Sequence, residues 1–346
     1  MTEDQKKIDK LWYTRCNVPT ATGLAYQRGW LAKRFAEDDM ELGILQDAPI
    51  EIARHHYDHA LPGLFREGGS VPAIVAKSDG QPTRLIGLTW IDERQAIVVR
   101  ADIDTEHPSG LKGRRIVIPG WAKERHASHS RAMALAGFEA ALGIGGLDFQ
   151  DVTVVEAATG KTIPPGRLRD LKGIAQWPAL NLLVEGEADA AYVKGAAAIA
   201  AARKAGLCLL IDLDHRTVPE GRVNNGTPRP ITVHEALLQS RPEWVIDFLA
   251  LTLKAAEWAS GHPDDVRSIV RNETQAGTIE DIDSAYGHDF QNRLAADLSP
   301  ERLKLLDIQV DFLRRHDFLK TSFKAEAWAD ADVFHQALIR LETIQT

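Results

Sequence analysis

Cysteine is scarce: the 346 residues hold only two, Cys16 and Cys208, too few for a disulfide framework. Long apolar runs are missing as well. The richest window, AAYVKGAAAIAAARKAG, is broken by Lys and Arg, so no segment has the length and character of a membrane span. The opening stretch, MTEDQKKIDKLWY, lacks the apolar core of a secretory leader, and the expectation is a reduced, cytoplasmic protein without membrane partners. Basic excess is missing too. Lys and Arg number 41 against 49 Asp and Glu, a formal net charge of −8, which argues against the basic face that nucleic-acid binding needs. Internal repeats and low-complexity segments are absent.

Several familiar catalytic signatures are missing. ATGKT around Gly160 resembles the end of a P-loop, but Val155 stands where the first glycine is required. GIGG at 143–146 lacks dinucleotide-binding spacing, and neither GxSxG nor HExxH occurs.

What is present is an ordinary globular composition, 44% hydrophobic and 26% charged, in a chain long enough for two lobes. IDKLWYTR (8–15) reads as a strand, and TGLAYQRGWLAKRF as one amphipathic helix with Leu24, Trp30, Leu31 and Phe35 on its apolar side. MELGILQ is a second strand, and PIEIARHHYDHALPGLF looks helical until Pro62. RLIGLTW and QAIVVR follow as strands. After the polar connection TEHPSGLKGRR come RRIVIP, VTVVEA, GEADAAYVKG and GLCLLIDL, separated by helical patterns. TPRPITVHEALLQSRPEWV returns with a strand and a helix, and the chain beyond Pro263 is almost wholly helical by pattern. Strands alternating with helices predict an α/β protein with mostly parallel sheet. The preferred architecture is two-lobed, with lobe I formed by 1–103 and 215–346 and lobe II by 104–214. Such folds hold ligands in the cleft between lobes.

Chemistry-bearing residues concentrate in two places. Cys16 stands at a predicted strand end, before a helix whose expected N-cap is Thr20 after Pro19. Cysteine is by default a small buried hydrophobe, but the positive end of a helix favours its thiolate. Cys208, inside GLCLLIDL, is assigned to the buried, inert class. The second place is ARHHYDHALPGLFREGGSVP. His55 and His59 have the i, i+4 spacing of two metal ligands on a helix, although a third and fourth ligand are not evident and no metal is expected. A solvated, His-rich face is the plainer reading. Arg66 with Gly68 and Gly69 offers a guanidinium fork plus backbone amides free of a Cβ, suited to a carboxylate, sulfinate, sulfonate or phosphate. A simple turn with an exposed Arg is the alternative.

With those residues placed, the sequence resembles the aromatic sulfinate desulfinases of dibenzothiophene desulfurisation. Cys16-Asn17-Val18-Pro19 matches that family's Cys-x-Val-Pro, and His56, Pro62, Arg66, Gly68, Gly69 and Pro72 match its histidine, proline and Arg-x-Gly-Gly without a gap. RLIGLTW matches the strand that follows, and the remaining likeness is at the level of fold. The resemblance implies the two-lobed fold of periplasmic solute-binding proteins that carry sulfonates, taurine and thiamine precursors. It implies a cofactor-independent hydrolase of a carbon–sulfur bond that releases sulfite from an aryl or alkyl sulfinate, working as a monomer or small oligomer. Cys16, His56 and Arg66 would be catalytic, with Cys16 either attacking sulfur or protonating the ring carbon. Gly68, Gly69, His55, Trp90 and Ser130 would bind substrate, with Arg131 and Gly23 nearby. Trp12, Tyr57, Trp90, Trp121 and Trp177 are candidate aromatic walls, and the HHYDH segment is expected to order over the ligand. The alternative is a non-enzymatic solute-binding protein for a sulfonate, sulfinate or pyrimidine-type ligand. A thiamine-pyrimidine synthase of the same fold would need a dense cysteine motif that is missing.

Overall fold

The computed structural model of the chain describes residues 8–15, 18–158, 177–215, 218–274 and 278–345. Cys16 and the TGKT stretch lie outside the described residues. Ten strands form two five-stranded sheets. The first sheet contains β1 (Leu11–Tyr13), β2 (Leu42–Ile44), β3 (Leu64–Glu67), β4 (Thr83–Thr89) and β10 (Arg229–His234). The second contains β5 (Gln95–Val99), β6 (Arg115–Pro119), β7 (Thr153–Ala157), β8 (Ala190–Lys194) and β9 (Cys208–Asp212).

The strand orders are β2-β1-β3-β10-β4 and β7-β6-β8-β5-β9. In each sheet four strands run in one direction, and one, β10 or β5, runs antiparallel to both its neighbours. These two strands arrive from the other sheet, so each enters its new sheet in reverse. The expectation of mostly parallel sheet is corrected to mixed sheet for that reason. The same crossing moves one expected boundary: Gln95–Val99, assigned by sequence to lobe I, pairs in the second sheet.

Local chemistry accounts for other departures. The single helix expected over 22–35 is two, Ala21–Gln27 and Trp30–Ala36, because Gly29 takes φ 74 between them. The helix expected from Pro49 until Pro62 is two short turns, Ile50–Ala53 and His55–Asp58, ended by His59 at φ 52. After them comes β3, a strand missed by sequence reading because a four-residue run carries too little periodicity.

The C-terminal region is helical as expected. Pro242 sits in the first turn of the longest helix, Pro242–Gly261, where a missing N–H costs nothing. Its buried residues Val245, Phe248, Leu249, Thr252, Leu253 and Ala256 recur at helical spacing. They face the helices Ala21–Gln27 and Ala331–Gln345. Phe248 stacks on Phe65 of β3 at 3.9 Å between ring centroids, fixing that strand from the apolar side. No helix among the described residues is long and apolar enough to cross a membrane.

Candidate active site

Arg66 lies inside β3, paired with Thr232 of β10 and wholly excluded from solvent. Strands covered on both faces normally read as apolar runs, so a buried arginine here requires a purpose. Its Nε donates to the His56 carbonyl at 2.7 Å and its Nη2 to the Gly69 carbonyl at 3.1 Å. The guanidinium thereby ties the turn bearing His56 to the start of the helix Ser70–Ser78.

The two glycines are explained by close approach. A Cβ on Gly68 would lie 2.9 Å from Arg66 Nη2, and one on Gly69 would lie 2.4 Å from Asn225 Nδ2. Asn225 covers the helix start: its carbonyl accepts from Ser70 N–H at 2.6 Å and its Oδ1 from Val71 N–H at 2.9 Å. The Gly68 N–H donates to the Pro230 carbonyl at 3.3 Å.

Around Arg66 the structure collects imidazoles and holds them neutral. His56 is only 5% exposed, and burial, then the charge of Arg66, keeps it well below the usual histidine value. Among the described residues its buried Nδ1 has no hydrogen-bond partner. His59 is pushed down to about 3 by burial and then by Arg66, and its Nε2 meets Thr232 Oγ1 at 2.9 Å. His129, the first residue of the helix His129–Ile144, is pushed down to about 4 by burial, with Arg66 and Lys194 acting in the same direction. The three rings His56, Tyr57 and His129 form a chain, edge-on at 5.2 Å and then stacked at 5.8 Å. The segment bearing β3 and the helix layer of the second sheet meet through it.

His55 is not part of this group. Its Nδ1 pairs with Asp58 Oδ1 at 2.7 Å, while His59 turns to Thr232, so the i, i+4 pair does not share a face. Among the described residues no group of three His, Cys, Asp or Glu side chains is placed to hold a metal ion.

The described residues before Cys16 are anchored beside Arg66. Thr14 N–H donates to the Phe65 carbonyl at 3.2 Å. Thr14 Oγ1 donates to the Glu67 carbonyl at 2.6 Å and accepts from Glu67 N–H at 2.9 Å. Arg15 N–H donates to Gln46 Oε1 at 2.7 Å. On the far side Val18, Pro19 and Thr20 are buried, and Thr20 Oγ1 caps the helix Ala21–Gln27 by accepting from Gly23 N–H at 3.0 Å, as the sequence predicts. Glu67 itself is buried. Its carboxylate accepts from Thr89 Oγ1 at 2.9 Å, and burial raises its pKa while Arg229 partly offsets that rise.

The other expected residues are elsewhere. Trp90 is buried, but its Nε1 donates to Asp92 at 2.8 Å, and the guanidiniums of Arg302 and Arg222 lie over its ring. These contacts occupy it within the crossover between the sheets. Its remaining edge, with Pro19, Tyr286 and Phe290, lines a narrow crevice. Ser130 is exposed, and Arg131 bonds Pro119 and Glu156. Cys208 is exposed on the edge strand β9, which corrects its assignment to the core. A wider cavity, about 460 Å³, is lined by Trp121, Arg125, Asp317, Leu319 and Lys320. It borders neither Arg66 nor His56, and it contains no buried titratable group. Sequence reading missed His129, Asn225, Glu67 and Thr14. Only His129 left a local signal, as a histidine at a predicted helix start.

No protein-family model matches the chain. It is 27% identical to 2'-hydroxybiphenyl-2-sulfinate desulfinase of Rhodococcus erythropolis, over 96% of this chain and 94% of the relative. Among solved structures it is similar to the desulfurization enzyme DSZB, with a TM-score of 0.76, 23% identity and coverage of 96% and 99% of the two chains. A cysteine-to-serine mutant of DSZB, solved with biphenyl-2-sulfinic acid, matches with a TM-score of 0.75. The periplasmic aliphatic sulphonate binding protein of Escherichia coli matches at 0.63, with 14% identity and coverage of 93% and 91%. The chain thus has the two-sheet fold shared by that desulfurization enzyme and by sulfonate-binding proteins, and it resembles the desulfinase over nearly its whole length.

Proposed function

We propose that the protein is a sulfinate desulfinase in which Cys16, His56 and Arg66 carry the reaction. The observation that carries this reading is a fully buried Arg66 bonded to the backbone of a buried His56 whose Nδ1 has no hydrogen-bond partner among the described residues, in a sheet that also anchors Thr14, two residues before Cys16. The likeness to a desulfinase over 96% of the chain supports it.

The overall change is ArSO₂⁻ + H₂O → ArH + HSO₃⁻, balanced in atoms and charge. Arg66 would hold the sulfinate oxygens and stabilise charge as the sulfur leaves carbon. The state of His56 gives the sequence of events. Arg66 depresses its basicity in the free protein, and an arriving anion offsets that charge. His56 would therefore become a better base when substrate is bound, and in the thiolate route it would take the Cys16 proton at that moment.

Two orders of bond-making serve this chemistry. In one, the Cys16 thiolate bonds to sulfur as the aryl carbon departs and takes a proton; water then cleaves the sulfur–sulfur bond and bisulfite leaves. In the other, Cys16 protonates the ring carbon, the carbon–sulfur electrons stay with the ring, and the released SO₂ adds water. A covalent adduct detected by mass spectrometry after rapid quench identifies the first, and its absence under turnover identifies the second.

The second reading is a binding protein, favoured by the fold shared with sulphonate carriers. Incubation with benzenesulfinate and biphenyl-2-sulfinate separates the two. Many equivalents of sulfite per protein, with matching arene, support the desulfinase. Saturable binding without sulfite supports the carrier.

A further inference from the structure

We propose that Asn225 is a positioning residue of this site: it orients the Gly69–Ser70 peptide, whose carbonyl in turn holds the guanidinium of Arg66. The effect on turnover rests on the sulfinate reading above; the positioning itself rests on the hydrogen bonds and packing around that peptide.

The peptide unit between Gly69 and Ser70 is gripped at both ends. Its carbonyl oxygen accepts from Arg66 Nη2 at 3.1 Å, and its N–H donates to the Asn225 carbonyl at 2.6 Å. A peptide unit is planar and rigid, so turning one end swings the other. Ser70 Oγ donates to the same Asn225 carbonyl at 3.3 Å, and Val71 N–H donates to Asn225 Oδ1 at 2.9 Å. Asn225 thus satisfies the first two amides of the helix Ser70–Ser78, and with them sets the direction of the Gly69 carbonyl. Gly69 bears the mark of this contact. Its φ of −50 and ψ of 144 are open to any residue, so the backbone does not demand a glycine here. The demand comes from Asn225: the three atoms nearest to a Cβ at this position are its Nδ2, Oδ1 and Cγ, at 2.4, 2.5 and 2.7 Å.

Asn225 is itself held from the second sheet. Its N–H donates to Asn224 Oδ1 at 2.7 Å, and its Nδ2 reaches Met133 Sδ at 3.8 Å. Asn224 is only 3% exposed, and its Nδ2 donates to Gln95 Oε1 of β5 at 3.1 Å and to the Tyr192 hydroxyl of β8 at 3.3 Å. The Tyr192 hydroxyl donates to the same Gln95 oxygen at 2.8 Å. Connected buried hydrogen bonds of this kind fix one arrangement, because breaking any member leaves a buried polar group unsatisfied. Through Asn224 and Asn225, the guanidinium in the first sheet is registered against two strands of the second.

The test separates positioning from stability. Asn225→Ala removes the Oδ1 acceptor and the amide packed on Gly69, which frees the Gly69–Ser70 peptide to turn. With benzenesulfinate as substrate, kcat should fall by about 10- to 100-fold, the loss that a displacement of about 1 Å can cost. The ¹⁵Nε signal of Arg66, assigned by its disappearance in Arg66→Lys, should move in Asn225→Ala. Val193→Ala, in the apolar core of the second sheet, controls for lost stability and should leave both readouts in place. Gly69→Ala should also slow turnover, by driving a Cβ into the Asn225 amide. Combined with Asn225→Ala it should be no slower than Asn225→Ala alone, since the clashing atoms are then gone. Asn225→Ser leaves a hydroxyl near the helix start and should move the Arg66 signal by less, which keeps the question decidable if Asn225→Ala does not fold. An unmoved Arg66 signal in the Asn225 variants, an equal displacement in Val193→Ala, or additive losses in the double variant overturns the proposal. Sulfite release by wild type with an unmoved signal would sink this inference alone. A moved signal in a protein that releases no sulfite would sink the reaction and leave the positioning contact standing.

Discussion

The two sheets share one strand order and differ in what they bury. In the first, the inserted strand and its neighbour read RPITVH and LFRE, every residue buried, with Arg66, Glu67, Arg229 and Thr232 inside. In the second, the corresponding strands read QAIVV and AAYVK, and the buried interior is Ala96, Ile97, Val98, Ala190, Ala191 and Val193. The fold therefore does not need buried charge, since the second sheet builds the same topology from Ala, Ile and Val. Burying ions costs several kcal/mol each unless they are compensated. The first sheet bears that cost at β3 and β10, the strands that carry Arg66 and Arg229.

The comparison is broken most forcefully at Arg66. Arg66→Lys keeps the charge but loses the fork that reaches both the His56 and Gly69 carbonyls. Sulfite release, read as kcat/KM, should fall by about 10²–10³-fold, the loss typical of a removed oxyanion donor. Thr14→Val removes both links to the Glu67 backbone and so loosens the approach to Cys16. It should lower kcat/KM by about tenfold and cost about 1–3 kcal/mol in denaturant unfolding. On the other sheet, Val193→Ala opens the apolar core at a residue 3% exposed. It should cost about 1–3 kcal/mol of stability and leave kcat/KM unaltered; equal catalytic damage from both sheets would erase the distinction.

A separate effect is in the pH dependence of stability. Unfolded histidines take up a proton near 6.5, whereas folded His59 and His129 resist until about 3 and about 4. Between those values the unfolded chain binds more protons. Stability from these groups is full above 6.5 and is lost as pH falls toward 3–4. Denaturation midpoints from pH 7 to 4 should decline, and His59→Gln should flatten the slope.

How far the sequence was legible follows from the range of the contacts involved. Thr20 as a cap and the helical C-terminal region rest on neighbours a few residues apart, and both could be read directly. His56 and Arg66 share one contiguous segment, so their interval was visible even though β3, the strand that buries Arg66, was not. Strand polarity depended on which strands cross between sheets, and that is a tertiary fact. Asn225 against Gly69, and His129 against Tyr57, join distant parts of the chain, and such pairs leave no periodicity to read. The freedom for which the glycines were singled out also admits neighbours that the sequence does not show, a guanidinium at Gly68 and an asparagine at Gly69.

The central claim is that Cys16 performs chemistry on a sulfinate bound at Arg66. The direct measurement is sulfite release from one aryl sulfinate by wild type and by Cys16→Ser, with binding of the same compound followed calorimetrically. The account predicts multiple turnovers in wild type, and intact binding without sulfite in Cys16→Ser. Sulfite release by Cys16→Ser at the wild-type rate would contradict it.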